Sequence, residues 1–512
     1  MSGYSHFNRK RAVSLKIALC LFVMLLLWSP LIVTGGIFDQ KGRMAVLSDN
    51  ACNDEWYDGS FFGIWTTSTQ QGSCSGTITL GRSNHQGRFQ GNVFTDTDEP
   101  LGLLQGSFYN GALFGSIDTG SGLSQRFFGT IQSHDTGFSA HLQSPQIGSF
   151  SCQGTYDASF LPPLTGPYAV GVTTLHLVDP SREEWFSADP LDVRELVAKI
   201  WYPTEEIDPQ HRVDYMDETT FTWLKQQSPI PLVNIPTIAY TYVRPHCYEQ
   251  AVISKDAAPF PLLLFSHGYD GVDAIYTSFI EDAVSNGYIV VSINHPYIAG
   301  ITVFPDGRVI EIAPVPSQDV QEFFSRSLRT VIDDVYFVLD EITTINDIDD
   351  HLSGCFDLSK IGMYGHSFGG AATAVCCYED ERFKAGLTLD GVVYEELLKG
   401  NITKPLLMML AEGRINDSNT LSLYDKISTD AYMVGVRGST HYGYTDVGVL
   451  LSHLLPIVPQ NILGFGTINA KQMVNITRII EQVFFDVYLK GEDEQRLFDT
   501  FSLFDEILVQ SK

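Results

Sequence analysis

Two patterns of hydrophobic and polar residues follow one another along this chain. From about residue 50 to 160 they alternate in short runs: Ser73 to Leu80, Gly87 to Thr95, Gly106 to Ile117, Arg126 to Ile131, Gly137 to Leu142 and Gly148 to Tyr156. Gly, Asn or Asp separates the runs. A period of two with turn residues between predicts antiparallel strands in a small barrel or sandwich. Gly87-Arg88-Phe89, Gly106-Ser107-Phe108 and Gly148-Ser149-Phe150 read as hairpin corners. The aromatics are expected to form the core, with a sugar- or surface-binding face as the alternative.

Phe160-Leu161-Pro162-Pro163 reads as a linker, and the pattern then changes. Leu196 to Trp201, Phe260 to Ser266, Tyr288 to Ile293, Ile361 to Tyr364, Ala385 to Leu389, Pro405 to Leu410 and Tyr432 to Val436 are strand candidates. Phe260 to Ser266 is almost wholly apolar, as a strand buried on both faces must be. Ser278 to Ser285, Phe323 to Ile342 and Asn475 to Leu489 read as helices; the second repeats Val331, Val335, Val338 and Ile342 on one face. Strands alternating with helices predict a mostly parallel, doubly wound α/β sheet, preceded by the small all-β domain. The expected divisions are 1–36 as a targeting segment, 45–160 all-β, 166–495 α/β and 496–512 a C-terminal tail.

Composition narrows the picture. The chain has 512 residues, enough for two or three domains. A net charge of −28 argues against nucleic acid or an anionic membrane as the main partner. Arg9, Lys10 and Arg11 precede the apolar run Ile17 to Trp28, and Val33-Thr34-Gly35 offers a cleavage site. A signal peptide is expected, with an uncleaved signal anchor as the rival, and the bulk of the chain is expected to be secreted or extracytoplasmic. Export makes disulfides plausible. Cys52, Cys74 and Cys152 are expected to supply one, and Cys376 and Cys377 to be buried free thiols.

The chemistry centres on Gly365-His366-Ser367-Phe368-Gly369. An apolar strand enters this G-x-S-x-G and a small-residue helix leaves it, the context of a nucleophile elbow in an α/β-hydrolase. Ser367 is the candidate nucleophile. The base must follow it, and only His441 and His453 do; His441 lies in a Gly-flanked loop after a strand, whereas His453 sits in a Leu-rich run. Asp390 and Glu412 both end strands, and the sequence alone leaves the acid open between them. Oxyanion donors are expected at the backbone N–H of Phe368 and of Tyr269, in the loop Phe265-Ser266-His267-Gly268-Tyr269. His267 is expected to stiffen that loop, and His366 to point away from the elbow. No cofactor or metal is required: Asp347, Asp349 and Asp350 lack the glycine and distal glutamate of a calcium loop.

Gly-His-Ser-Phe-Gly-Gly-Ala, Arg382 to Asp390, Phe-Ser-His-Gly upstream, Ala198 to Pro203 and Phe485 to Gly491 together resemble the platelet-activating-factor acetylhydrolases of the plasma type and their bacterial relatives. The resemblance spans roughly residues 166 to 491. It implies Ser367, Asp390 and His441 as the triad and Tyr269 and Phe368 as oxyanion donors. It also implies a small-molecule or lipid ester substrate of the short-acyl phospholipid kind, and possible contact with a membrane or lipoprotein surface. A polyester or other carboxylic ester is the alternative within that chemistry. A surface or glycan adhesin carrying an inactive hydrolase fold is the alternative outside it.

Overall fold

A computed structural model describes residues 57–66, 71–80, 86–95, 100–109, 112–119, 124–134, 137–144, 148–157, 161–207, 211–227, 243–394, 399–454, 461 and 463–512. The expected targeting segment and Cys52 lie outside the described residues.

The alternating region forms a closed, eight-stranded antiparallel barrel. Its strands are β1 (Tyr57–Thr66), β2 (Gln71–Leu80), β3 (Gln86–Thr95), β4 (Pro100–Tyr109), β5 (Ala112–Thr119), β6 (Ser124–His134), β7 (Gly137–Ser144) and β8 (Gly148–Asp157). The run Gly106 to Ile117 is therefore divided between β4 and β5, and β1 adds a strand that the runs did not include. Gly87, Phe89, Gly106 and Phe108 are not hairpin corners. They lie within β3 and β4, where Gly87 pairs with Phe108 and Phe89 with Gly106. The same pairing sets Gly115 opposite Phe127. A Cβ on Gly115 would come within 2.4 Å of the Phe127 ring, so the glycine makes room for its cross-strand neighbour. Phe127 is buried while Phe128 beside it is exposed, which fixes the two faces. Across the ladder the register continues from Phe127 through Gly115 and Gly106 to Phe89. Cys74 on β2 and Cys152 on β8 pair with Gly63 and Trp65 of the intervening β1. Two strand spacings and the two-residue offset along β1 put their backbones about 12 Å apart, too far for a disulfide between these two.

The later region forms a ten-stranded sheet in the order β11-β9-β10-β13-β12-β16-β17-β18-β19-β20. Its strands are β9 (Ala169–Glu183), β10 (Val193–Thr204), β11 (Cys247–Glu249), β12 (Phe260–Ser266), β13 (Ile289–Asn294), β16 (Phe356–His366), β17 (Phe383–Leu389), β18 (Leu406–Leu410), β19 (Ala431–Val436) and β20 (Ile507–Ser511), while β14 (Ile301–Val303) and β15 (Val309–Glu311) form a separate hairpin. The six strands from β13 to β19 are mutually parallel. This is the expected α/β-hydrolase architecture. Residues 496–512, expected as a tail, join it: β20 pairs antiparallel with β19 along the sheet edge.

Helices α1 (Thr277–Ser285), α2 (Val320–Ile348), α3 (Phe368–Glu379) and α4 (Ala470–Lys490) pack on this sheet. Leu262 and Leu264 of β12 belong to the core shared with α2 and α3. Leu263 and Phe265 belong to the core shared with α1 and α4. That division explains the apolar run in β12: successive side chains enter different cores, and neither face meets water. Val331, Val335, Val338 and Ile342 of α2 are all buried, as their spacing predicts. Each such residue contributes roughly 1.5–3 kcal/mol on burial. Cys376 and Cys377 are free and buried in α3, as expected.

Candidate active site

Ser367 occupies the turn between β16 and α3 with φ 53° and ψ −106°. This backbone conformation is sparsely populated for a residue with a side chain, and its surroundings must enforce it. Ser367 N–H donates to the Leu389 carbonyl (2.9 Å), and its own carbonyl accepts from Val392 N–H (3.1 Å). The turn is thereby stitched to both sides of Asp390. A Cβ on Gly369 would lie 2.0 Å from the Ser266 carbonyl oxygen, and one on Gly365 would lie 2.5 Å from the Gly369 carbonyl carbon. The two motif glycines are thus required by close backbone approach.

Asp390 follows β17, also at positive φ (46°), and is buried. Its Oδ2 accepts from His441 Nδ1 at 2.6 Å and its Oδ1 from Ala411 N–H at 2.9 Å. Arg414 lies 3.3 Å from Oδ1 and donates to the Asp390 and Gly391 carbonyls. Burial works to raise the Asp390 pKa; the His441 hydrogen bond and the Arg414 charge outweigh it and hold it below the usual carboxylate value. Glu412, the alternative acid, is exposed. Its backbone N–H meets the Ser439 carbonyl at 3.4 Å, and the carboxylate against His441 is that of Asp390. His453 falls on the helix Val447–Leu454.

The expected oxyanion donors flank Ser367. Phe368 is the first residue of α3, so its N–H has no intrahelical acceptor and sits at the positive end of the helix. In the upstream loop, the Gly268 carbonyl accepts from His267 Nδ1 (2.8 Å) and from Gly271 N–H (2.9 Å). The peptide is planar and trans, so fixing the Gly268 C=O aims the Tyr269 N–H the opposite way. A Cβ on Gly268 would lie 3.2 Å from Ser367 Cβ, a measure of how closely this loop approaches the serine. His267 stiffens the loop as expected; its Nε2 accepts from His295 N–H at 3.2 Å. Burial pushes the His267 pKa down to about 4, which keeps the ring neutral.

Behind the loop lies a buried network that sequence reasoning missed. Ser266 Oγ meets His295 Nε2 at 3.0 Å, and His295 Nδ1 meets Asp334 Oδ2 at 2.8 Å. Arg194 binds both Asp334 oxygens, at 3.0 and 2.6 Å, and Arg182 adds a third contact at 2.8 Å. Burial acts to raise the Asp334 pKa, but Arg194 and His295 outweigh it and hold the carboxylate well below its ordinary range. Ser266, His295 and Asp334 are all buried, so this Ser-His-Asp line is a brace for β12 and its loop.

His366 was expected to point away from the elbow. Its ring instead lies 4.5 Å from that of His441, centroid to centroid, and Nε2 donates to the His441 carbonyl at 2.9 Å. Among the described residues no cluster of three or more His, Cys, Asp or Glu is arranged to hold a metal ion.

Comparison with known proteins identifies the family. A guinea pig (Cavia porcellus) platelet-activating factor acetylhydrolase is 24% identical over 56% of this chain and 69% of its own. A probable 1-alkyl-2-acetylglycerophosphocholine esterase of Arthroderma benhamiae is 24% identical over 68% of this chain and 93% of its own. The solved structure of a ferulic acid esterase from Streptomyces cinnamoneus superposes with a TM-score of 0.57 at 25% identity, covering 68% of this chain and 98% of that one. The chain is a carboxylic ester hydrolase of the α/β-hydrolase fold. Residues 153–306 and 336–497, more than half of the sequence, match the platelet-activating factor acetylhydrolase isoform II family, and the chain belongs to that family.

Proposed function

We propose that Ser367, Asp390 and His441 form the catalytic triad, with the N–H groups of Phe368 and Tyr269 as the oxyanion hole. The observation that carries this reading is the 2.6 Å contact between His441 Nδ1 and Asp390 Oδ2 beside a strained serine. With Nδ1–H donating to Asp390 Oδ2, His441 presents an unprotonated Nε2 to take the Ser367 proton as Oγ attacks the ester carbonyl. Asp390 stabilises the imidazolium that forms. The two N–H groups stabilise the tetrahedral oxyanion, each worth about 3–4 kcal/mol in comparable sites. Collapse expels the alcohol, which takes its proton from His441. Water, activated by the same ring, then releases the acid and restores Ser367.

The substrate we infer is a short-acyl phospholipid of the platelet-activating-factor type. Two relatives carry that substrate in their names, and the match spans the catalytic residues. Of the two acids in the oxyanion loop, Asp273 is paired with Lys199 at 2.9 Å rather than free toward a headgroup, while Asp270 is exposed. A second reading is an ester with an aromatic acyl group. It is favoured by the Tyr269 ring, which meets Phe324 at 5.0 Å and Phe368 at 5.7 Å beside the oxyanion donors, and by the ferulic acid esterase likeness. Division into a barrel domain at 45–160 and a catalytic domain at 166–495 belongs to the same reading, as do export by residues 1–36 and possible contact with a lipid surface.

A fluorophosphonate probe should label the wild type and not Ser367→Ala. Release of acetate from acetylated phospholipid, set beside feruloyl and longer acyl esters, tests the substrate. Faster turnover of the feruloyl ester would overturn the phospholipid reading.

A further inference from the structure

One line of hydrogen bonds crosses the site without serving the triad directly. Gly268 N–H donates to Tyr276 Oη (3.4 Å), Tyr276 O–H pairs with His366 Nδ1 (2.9 Å), and His366 Nε2 pairs with the His441 carbonyl (2.9 Å). Its direction is fixed by chemistry. A backbone N–H can only donate and a carbonyl can only accept. His366 must therefore carry its proton on Nε2, and its Nδ1 accepts from Tyr276, whose oxygen accepts from Gly268. Gly268, Tyr276 and His366 are all buried, so water does not compete for these bonds.

The three anchored segments are the ones the reaction must hold together. Gly268 immediately precedes the Tyr269 donor, His366 immediately precedes Ser367, and the last bond ends on the backbone of His441 itself. We propose that Tyr276 and His366 are positioning residues for ester hydrolysis, tying the oxyanion loop and the general base to the nucleophile through this one line. The proposal rests on the triad reading above.

Two further observations fit. Burial first, and then the nearby His441, push the His366 pKa down to about 3, so the ring stays neutral under the imidazolium that forms on His441. A Cβ on Gly268 would approach His366 Nδ1 to 3.1 Å, so the loop backbone and this ring are already in close contact. Misplacing reacting groups by about 1 Å can cost on the order of 10²-fold in rate, so small shifts at either end matter.

Tyr276→Phe removes only the hydroxyl and is the primary test. We expect kcat on para-nitrophenyl acetate to fall roughly 10-fold with KM within about twofold, while the melting temperature moves by only a few degrees. His366→Phe keeps a ring and loses both bonds, and kcat should fall further. His366→Gln, whose amide can still donate to the His441 carbonyl, should recover part of that loss. The Tyr276→Phe/His366→Phe double variant should be no worse than His366→Phe alone, because one line can be cut only once. Wild-type kcat in Tyr276→Phe, or effects that multiply in the double variant, would overturn the proposal. If His366→Phe fails to fold, Tyr276→Phe decides alone. Ser367→Ala run in parallel separates the two levels: activity surviving there sinks the triad reading, whereas a dead Ser367→Ala beside a fully active Tyr276→Phe sinks only the positioning role.

Discussion

The choice between Asp390 and Glu412 offers the sharpest test of the site. Asp390→Asn keeps the shape of the side chain and removes its charge. The buried carboxylate accepts a 2.6 Å hydrogen bond from His441 and a 2.9 Å bond from Ala411 N–H, with Arg414 at 3.3 Å. An asparagine can keep one acceptor but presents an NH2 group at the other position. Facing His441, that group can only donate, and it drives the imidazole toward the tautomer with its proton on Nε2, the wrong one for taking a proton from Ser367. The imidazolium of the transition state also loses its counter-charge in a buried setting. Truncating one partner of a buried charged pair costs about 3–5 kcal/mol, which at 1.36 kcal/mol per decade is about 10²–10⁴-fold in kcat. Glu412→Gln alters an exposed side chain away from His441 and should leave kcat within about threefold. Initial rates on para-nitrophenyl acetate, normalised to sites titrated with a fluorophosphonate, give both values. A loss above a hundredfold in Glu412→Gln, with less than tenfold in Asp390→Asn, would refute the reasoning.

Three other outcomes follow from the same coordinates. Gly369→Ala places a Cβ 2.0 Å from the Ser266 carbonyl, and backbone on backbone cannot yield; it should cost at least about 3 kcal/mol in urea unfolding, and a wild-type midpoint would show that the turn relaxes. Arg414→Met removes a charge that helps hold the Asp390 pKa below its usual value. A depressed carboxylate stabilises the fold above its unfolded pKa of about 3.9 and loses that contribution as pH falls through the folded value. The variant should therefore be about 1–2 kcal/mol less stable at pH 7, with the deficit shrinking below pH 4; a constant deficit would deny the coupling. Asp446 is the opposite case. Burial, the largest effect, raises its pKa to about 7, and its Oδ1 finds no partner among the described residues. Between pH 4 and 7 the folded protein holds a proton that the unfolded chain has released, so stability falls across that window. Asp446→Asn should remove up to about 4 kcal/mol of that slope and melt higher than wild type at pH 8; equal differences at pH 5 and pH 8 would contradict this.

Much of the architecture was readable from local pattern. Alternation announced the barrel strands, the apolar run in Phe260–Ser266 announced a strand buried on both faces, and the elbow announced Ser367. Where the reading failed, the cause was pairing between distant segments. Gly87 and Gly106 looked like corners because glycine marks turns, yet each pairs in register with a phenylalanine position across β3 and β4. Residues 507–511 looked like a tail because their strand is short and its partner, β19, lies some seventy residues earlier.

Periodicity and turn chemistry act between neighbours along the chain, so consecutive residues are enough to encode a strand, a helix or a nucleophile elbow. By itself the sequence determined the two fold classes and offered a candidate nucleophile and a candidate base. Which carboxylate meets that base is a different kind of question. Asp390 and Glu412 both end strands, and only the paths of the following loops bring one of them to 2.6 Å from His441 while the other stays exposed. The same holds for the line from Gly268 through Tyr276 and His366, whose middle bond joins residues 90 positions apart. Hydrogen bonds are directional and short, so their partners are settled by tertiary packing, whatever the separation along the chain.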